Sequence, residues 1–235
     1  MCAHYESTHD RVKLRQQFGV DLPSELARRD VWPGYLSTFV RRHPQANVGD
    51  EAVPAREAQV GGFGLIPAWS RDTKIARHTY NARSETVAEK PSFRDAWRRA
   101  QHCIVPVDAF FEPDWRSGKA VPTRIGRASG QPLGAAGLWS RWQDAKGQEL
   151  FSFTLLTVNA DAHPFMRQFH KADDEKRMIV LLPPEQYPAW LQADAAQSSA
   201  FLAIQPPEDL VSTAPQAEAA EQDSRGRSGD LFASS

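Results

Sequence analysis

The sequence predicts a single α+β domain with a mainly antiparallel β core, peripheral short helices and a disordered C-terminal tail. Three observations carry this. Apolar, β-rich runs recur along the chain without regular 10–15-residue helices between them, which argues against a doubly wound parallel sheet. The helical signals are short and scattered. The chain has 235 residues, 41% of them hydrophobic and 24% charged, enough for a substantial core.

The elements follow in order. A helix is expected over Asp10 to Phe18, stopped by Gly19, since glycine accepts the left-handed conformation that ends helices. Gly62-Phe63-Gly64-Leu65-Ile66 reads as a strand ended by Pro67. Ser92-Phe93-Arg94-Asp95 resembles a capping box ahead of Ala96-Trp97-Arg98-Arg99, with Phe93 and Trp97 four apart on one face. Cys103 to Val107 reads as a strand leading into Ala109-Phe110-Phe111-Glu112. Gly134 to Trp139 is a weaker strand signal, Leu150 to Val158 the longest, and Arg177 to Leu182 another. Pro183-Pro184 opens a last helix carrying Tyr187, Trp190 and Leu191. From about Ser212 the chain is rich in Ala, Ser, Glu, Gln and Gly. It cannot bury enough apolar surface to offset ordering entropy, so a folded domain over 1–211 and a disordered acidic tail over 212–235 are expected. There is no internal repeat of 20–50 residues.

Composition narrows the function. No run of 18 apolar residues exists, so a membrane-spanning helix is not expected, and Met1 to Glu6 has no apolar signal core. Two cysteines, Cys2 and Cys103, give no disulfide framework and point to a reducing cytoplasmic setting. The near-neutral total hides an asymmetry. Pro206 to Ser235 holds six acidic and two basic residues, whereas Arg71 to Arg99 holds eight basic and four acidic. Such a patch attracts phosphates, although a solvated helix face has the same composition. Neither Cys-x-x-Cys nor His-Glu-x-x-His occurs, and no Walker or Gly-x-Gly-x-x-Gly loop, so no metal and no cofactor is expected.

Four groups could carry chemistry. Cys2 would bear an α-amine beside its thiol once Met1 is removed, two groups that ordinarily titrate at about 8 and about 8.5. An aldehyde can condense with the amine and be closed by the thiol into a thiazolidine. Alternatively the amine serves as base for the thiol in an N-terminal nucleophile hydrolase. Thr79 to Thr86 gathers Asn81, Arg83, hydroxyls and Glu85 in the basic stretch, and equally describes a turn followed by a capped helix. Glu112 shares a strand face with Phe110. Apolar surroundings would raise its pKa and suit a general acid/base, whereas a strand-end Glu in water would have no such role. His170 lies in a polar loop running into a strand; His163, His4, His9 and His102 are further candidates or plain surface residues.

Taken together these pieces resemble the SRAP family, the SOS-response-associated peptidases whose members crosslink abasic sites in single-stranded DNA. The resemblance rests on Met1-Cys2, Gly62 to Trp69, Asn81 to Thr86, Phe93 to Trp97, Cys103 to Pro106 and Phe110-Phe111-Glu112. It continues through Gly137 to Trp139, Phe153 to Thr157 and the block His170 to Leu182, in order from residue 2 to about 191. It implies a barrel-like β core and a catalytic set of Cys2, Asn81, Glu112 and His170. Cys2 would form a thiazolidine with the sugar aldehyde, shielding the lesion. Glu112 would transfer protons, His170 would protonate the sugar oxygen and hold a phosphate, and Asn81 would position the Cys2 amine. Arg83, Lys74 and Arg77 would contact phosphates, and Trp69 would stack on a flanking base. The implied enzyme has lyase-type Schiff-base chemistry, with autoproteolytic removal of Met1 as the peptidase activity. The implied partner is single-stranded DNA with abasic sites, or a single-strand/duplex junction. The protein would act as a monomer in the cytoplasm, nucleoid-associated when crosslinked. The sequence departs from the commoner family pattern at Ala3-His4, where Gly-Arg is usual, and at Pro113, where Trp is usual and Trp115 is the nearby aromatic. An N-terminal cysteine amidohydrolase and a non-catalytic single-strand-binding module are the competing functions.

Overall fold

The computed structural model of the chain describes residues 2–23, 27–46, 51–171, 173–204 and 209–213. The strands are β1 (Tyr5–Ser7), β2 (Asp30–Val31), β3 (Leu36–Arg42), β4 (Arg56–Phe63), β5 (Asn81–Arg83), β6 (His102–Asp114), β7 (Val121–Arg127), β8 (Leu133–Gln143), β9 (Glu149–Asn159), β10 (Arg177–Ile179), β11 (Leu181–Leu182) and β12 (Leu210–Thr213). Helices are short: α1 (Arg11–Lys13), α2 (Arg94–Arg98) and α3 (Tyr187–Gln192), with a π-helical turn over Leu14–Phe18 and several 3-10 turns. Among the described residues no helix is long and apolar enough to cross a membrane.

Pairing runs β8–β9–β4–β3–β6 and returns from β6 to β8, closing a five-stranded barrel. Every pairing in the circuit is antiparallel except β4–β9. Closure leaves the five-stranded circuit itself without a free edge. Inside, Phe63 stacks on Phe153, Phe153 meets Phe39, and Tyr5 caps Phe63 edge-on, all fully buried.

At one end the barrel opens out. β3 pairs β6 at Ile104 and Cys103, and further along the same edge β1 takes over at Phe110 to Val107. On β9, β4 pairs at Ser152 and Phe153, then β5 takes over at Leu155 to Thr157. The chain leaves β4 at Gly64, with φ +127°, where a Cβ would lie 2.1 Å from the Ala76 carbonyl oxygen. Only glycine permits that turn, and it sends the chain around to β5. The two replacement strands deliver the N-terminal residues and Asn81 to the same mouth.

Some local expectations change. The strand expected over Gly62 to Ile66 ends at Phe63, because of Gly64. Ser92 does not cap α2: Phe93 is the N-cap, without a side-chain bond, and Lys90 O accepts the amides of Phe93 and Arg94. Phe93 and Trp97 still share a buried face. The early helix starts at its Asp10 cap and stops at Gly19, φ +66°, but winds as a π-turn after Lys13. The run Arg177 to Leu182 divides at Val180, which donates to Leu156 O on β9 and accepts from Ala136 N on β8. β12 carries pairing with β7 to Thr213; the remainder of the expected tail lies outside the described residues.

Candidate active site

β1 places Cys2 beside β6. Tyr5 is in register with Phe110, and the His4 carbonyl accepts both the Phe111 amide, at 3.0 Å, and the Cys2 thiol, at 3.4 Å. Cys2 is 1% exposed. Burial pushes its thiol up to about 12, with the charge of Glu112 adding to the effect, so the sulfur stays protonated near neutrality.

Asn81 opens β5, where Leu155 N donates to Tyr80 O and fixes the register. Its side-chain Nδ2 donates to the Cys2 carbonyl at 2.6 Å. The hydrogen bond goes to the backbone of Cys2, which orients the residue as a whole.

Glu112 follows the stretch of β6 that β1 covers and sits opposite Thr123 of β7. Its side chain is fully buried, and burial pushes its carboxyl up to about 7. Facing it, His170 Nε2 lies 3.3 Å from Oε2 and 3.2 Å from the Arg177 carbonyl oxygen. His170 adopts φ +65°, and its amide donates to Pro113 O at 2.8 Å, next to Glu112. A non-glycine residue held in the left-handed region costs about 1 kcal/mol or more, so the surroundings impose this placement. Burial pushes the imidazole below its ordinary value. Near pH 7 the pair therefore carries little fixed charge and can take or give a proton at either member.

The structure thus brings Cys2, Asn81, Glu112 and His170 to one mouth of the barrel. Arg83 stands at the end of β5, half-exposed, and bonds Glu175 at 3.0 Å. Lys74 and Arg77 are exposed on the 3-10 turn Lys74–His78 that leads through Thr79 to Asn81. Trp69 is 53% exposed on the preceding loop, with its Nε1 donating to Pro91 O. The motif around Asn81 is a strand followed by turns, not a turn and capped helix.

Two features escape sequence reasoning. Arg177, 2% exposed, forks onto Glu85 at 2.8 and 3.0 Å, bonds Glu175 at 2.8 Å, and donates to Thr157 O and Oγ1. An arginine inside an apolar β-run was the available signal. Second, the His4 ring lies between Phe111 and Trp32. No periodic pattern marks Trp32, because β2 spans only two residues.

The chain matches the family model described as SOS response associated peptidase (SRAP) over residues 1–218. It is 36% identical over 132 residues to the abasic site processing protein YoaM of Bacillus subtilis, an alignment covering 55% of this chain and 54% of that one. It is 26% identical over 129 residues to the abasic site processing protein HMCES of Rattus norvegicus, covering 42% and 36%. The matched stretch thus spans about half or less of these curated relatives. A crystal structure from Bordetella bronchiseptica is similar with a TM-score of 0.82 at 45% identity, covering 92% of this chain and all of that one. A second, from Bacteroides thetaiotaomicron, has a TM-score of 0.73 at 22% identity, covering 92% and 93%, and shares the fold.

Proposed function

The chain belongs to the SOS response associated peptidase family, and from its site we propose that it processes abasic sites in single-stranded DNA by covalent capture on Cys2. The observation that carries this is the Asn81 amide on the Cys2 carbonyl, beside a buried carboxyl–imidazole pair able to exchange a proton near pH 7.

Removal of Met1 leaves Cys2 with a free α-amine. An abasic deoxyribose, when its ring opens, presents an aldehyde at C1′. The amine adds to that carbon, and loss of water gives an imine. The thiol then adds across the C=N bond, its sulfur to carbon and its proton to nitrogen, closing a thiazolidine. Because burial keeps the thiol protonated, the amine leads and the sulfur follows. Glu112, in its protonated form, donates to the departing hydroxyl; as carboxylate it accepts the proton back during sugar opening and reversal. His170 serves the sugar oxygen and the adjoining phosphate. Asn81 holds Cys2 in attacking position. Arg83, Lys74 and Arg77 contact phosphates, and Trp69 stacks on a base. The same Glu112 supports hydrolytic release of Met1, the peptidase reaction in the family's name.

The test is incubation with a single strand carrying one abasic site. An adduct that survives denaturation is expected from the parent. Cys2→Ala should give none, Cys2→Ser at most a labile imine, and an uncleavable tag before Cys2 should block the reaction. A heat-stable adduct from Cys2→Ala or the tagged protein would overturn the assignment. A shift seen only in native gels would make the protein a binding module, and peptide cleavage without a shift an amidohydrolase.

A further inference from the structure

We propose that Phe111, His4 and Trp32 form a prebuilt stacking column whose outer ring, Trp32, takes a nucleobase neighbouring the lesion. This rests on the single-strand reading of the site and adds a specific subsite to it.

The geometry is that of a base stack. The His4 ring is 4.0 Å from Phe111 at 8° and 4.1 Å from Trp32 at 12°, centroid to centroid. Near-parallel, offset stacking is a favourable arrangement for aromatic rings, and here three rings share it in one run. The column is locked by one carboxylate. Asp30 Oδ1 pairs with His4 Nε2, and Oδ2 accepts Trp32 Nε1 at 3.3 Å. Fixed rings lose little entropy on binding a further ring. Trp32 is 43% exposed, although it ends the column with one face against His4. The fold does not need an indole there, since β2 is held to β1 by Tyr5↔Val31 and Glu6↔Asp30.

The column is tied to the nucleophile. His4 is the residue whose carbonyl accepts the Cys2 thiol and the Phe111 amide, and Phe111 precedes Glu112. A strand captured on Cys2 therefore has its neighbouring nucleotide close to a flat, exposed indole. Every base has a π-face, so the subsite would be tolerant of sequence, and the cost of losing such a stack is roughly 5- to 150-fold in affinity.

Equilibrium binding to single strands carrying a reduced, non-reactive abasic analogue tests this without depending on capture. In matched strands the base on the 5′ or the 3′ side of the analogue is replaced by a baseless spacer. For the parent, one of the two replacements should weaken binding roughly 5- to 150-fold. Trp32→Ala should bind the full strand as weakly as the parent binds that spacer strand, and should be indifferent to the replacement. Trp32→Phe should recover most of the loss. Asp30→Asn, which loosens the rings but leaves them in place, should fall between. Equal binding by parent and Trp32→Ala, or loss of affinity in Trp32→Ala that is still sensitive to both spacers, would overturn the column. Capture is read separately on a denaturing gel with reactive strands. An adduct without spacer dependence sinks the column alone; spacer dependence without an adduct sinks the covalent chemistry and keeps the column.

Discussion

Two charge clusters meet at the peptide of Arg177 and behave in opposite ways. The Arg177 carbonyl oxygen receives His170 Nε2, on the side of Glu112; its guanidinium forks onto Glu85 and bonds Glu175. The Arg177 guanidinium and the Glu112 carboxyl are both buried. The guanidinium holds Glu85 below the ordinary carboxyl range, so that cluster stays ionised and rigid. Glu112 faces an imidazole that burial keeps neutral, and its own carboxyl rises to about 7. A fixed cation makes a carboxylate structural. Burial beside a partner without a fixed charge leaves the carboxyl able to exchange a proton near pH 7.

Glu112→Gln should break the chemical side of this contrast most strongly. The amide keeps the shape but cannot exchange a proton, so adduct formation should slow by about 10²–10⁴-fold, and reversal more. A timed crosslink gel measures both, and mass spectrometry of the N-terminus should find Met1 retained on part of the protein. Stability should move the other way. A carboxyl whose folded value is raised costs nothing while protonated in both states. The cost appears as pH rises past its ordinary value and is complete above about 7, reaching about 3 kcal/mol. The variant should therefore resist urea better than the parent at pH 8 and equally at pH 4. Unchanged rates and unchanged pH dependence would return Glu112 to a passive place in the core.

Arg177→Ala breaks the structural side. Thr157 O and Oγ1 lose a buried donor, Glu85 loses its cation, and Glu175 is left with Arg83 alone. Those carboxylates are themselves partly exposed, at 50% and 37%, so water softens the loss. A destabilisation of about 2–3 kcal/mol in urea is expected, below the full cost of orphaning a buried charge. Since His170 is held by the backbone of residue 177, adduct formation per folded molecule should fall far less than in Glu112→Gln. A larger kinetic than stability effect would mean the two clusters are one.

Of the five barrel staves, β6, β8 and β9 were legible because they are long and apolar, whereas β4 was read only at its end, Gly62-Phe63. β1, β3, β5 and β7 were not. β3 ends in Arg41-Arg42 and β7 mixes Pro122, Arg124 and Arg127, so neither shows a clean alternation, and β1 and β5 have three residues each. These short strands are defined by pairing with distant partners, which a local pattern does not contain. The site residues Cys2, Asn81, Glu112 and His170 were named through resemblance; their own neighbours left plain structural readings open. What sequence could not supply was the burial of Glu112 and the left-handed turn at His170, both products of segments far apart along the chain.

That turn gives a further way to sharpen the contrast. Asn tolerates positive φ far better than Ala does. His170→Asn should leave the unfolding free energy from urea titration within about 0.5 kcal/mol of the parent, whereas His170→Ala should cost about 1 kcal/mol more. Both should slow adduct formation by about 10²-fold, because both remove the imidazole. Equal stability of the two variants would show that the loop relaxes and that the backbone is not imposed.

The smallest effect is expected at Arg83, which connects the Arg177 cluster to the proposed DNA surface. It is half-exposed and bonds Glu175 at 3.0 Å, the same carboxylate that Arg177 bonds. An exposed pair of this kind contributes about 0–1 kcal/mol, so exchanging Glu175 for a phosphate costs little. If Arg83 makes one phosphate contact, Arg83→Ala should reduce the slope of log affinity against log salt by about 0.7 for single strands. Intact and abasic strands should weaken alike, because a phosphate contact does not read the lesion. Glu175→Gln should act in the opposite sense: with the competing carboxylate gone, Arg83 is released, and binding at low salt should strengthen by a few-fold. Fluorescence anisotropy at several salt concentrations measures all three proteins. An unchanged slope in Arg83→Ala, together with unchanged affinity in Glu175→Gln, would assign Arg83 wholly to the structural cluster.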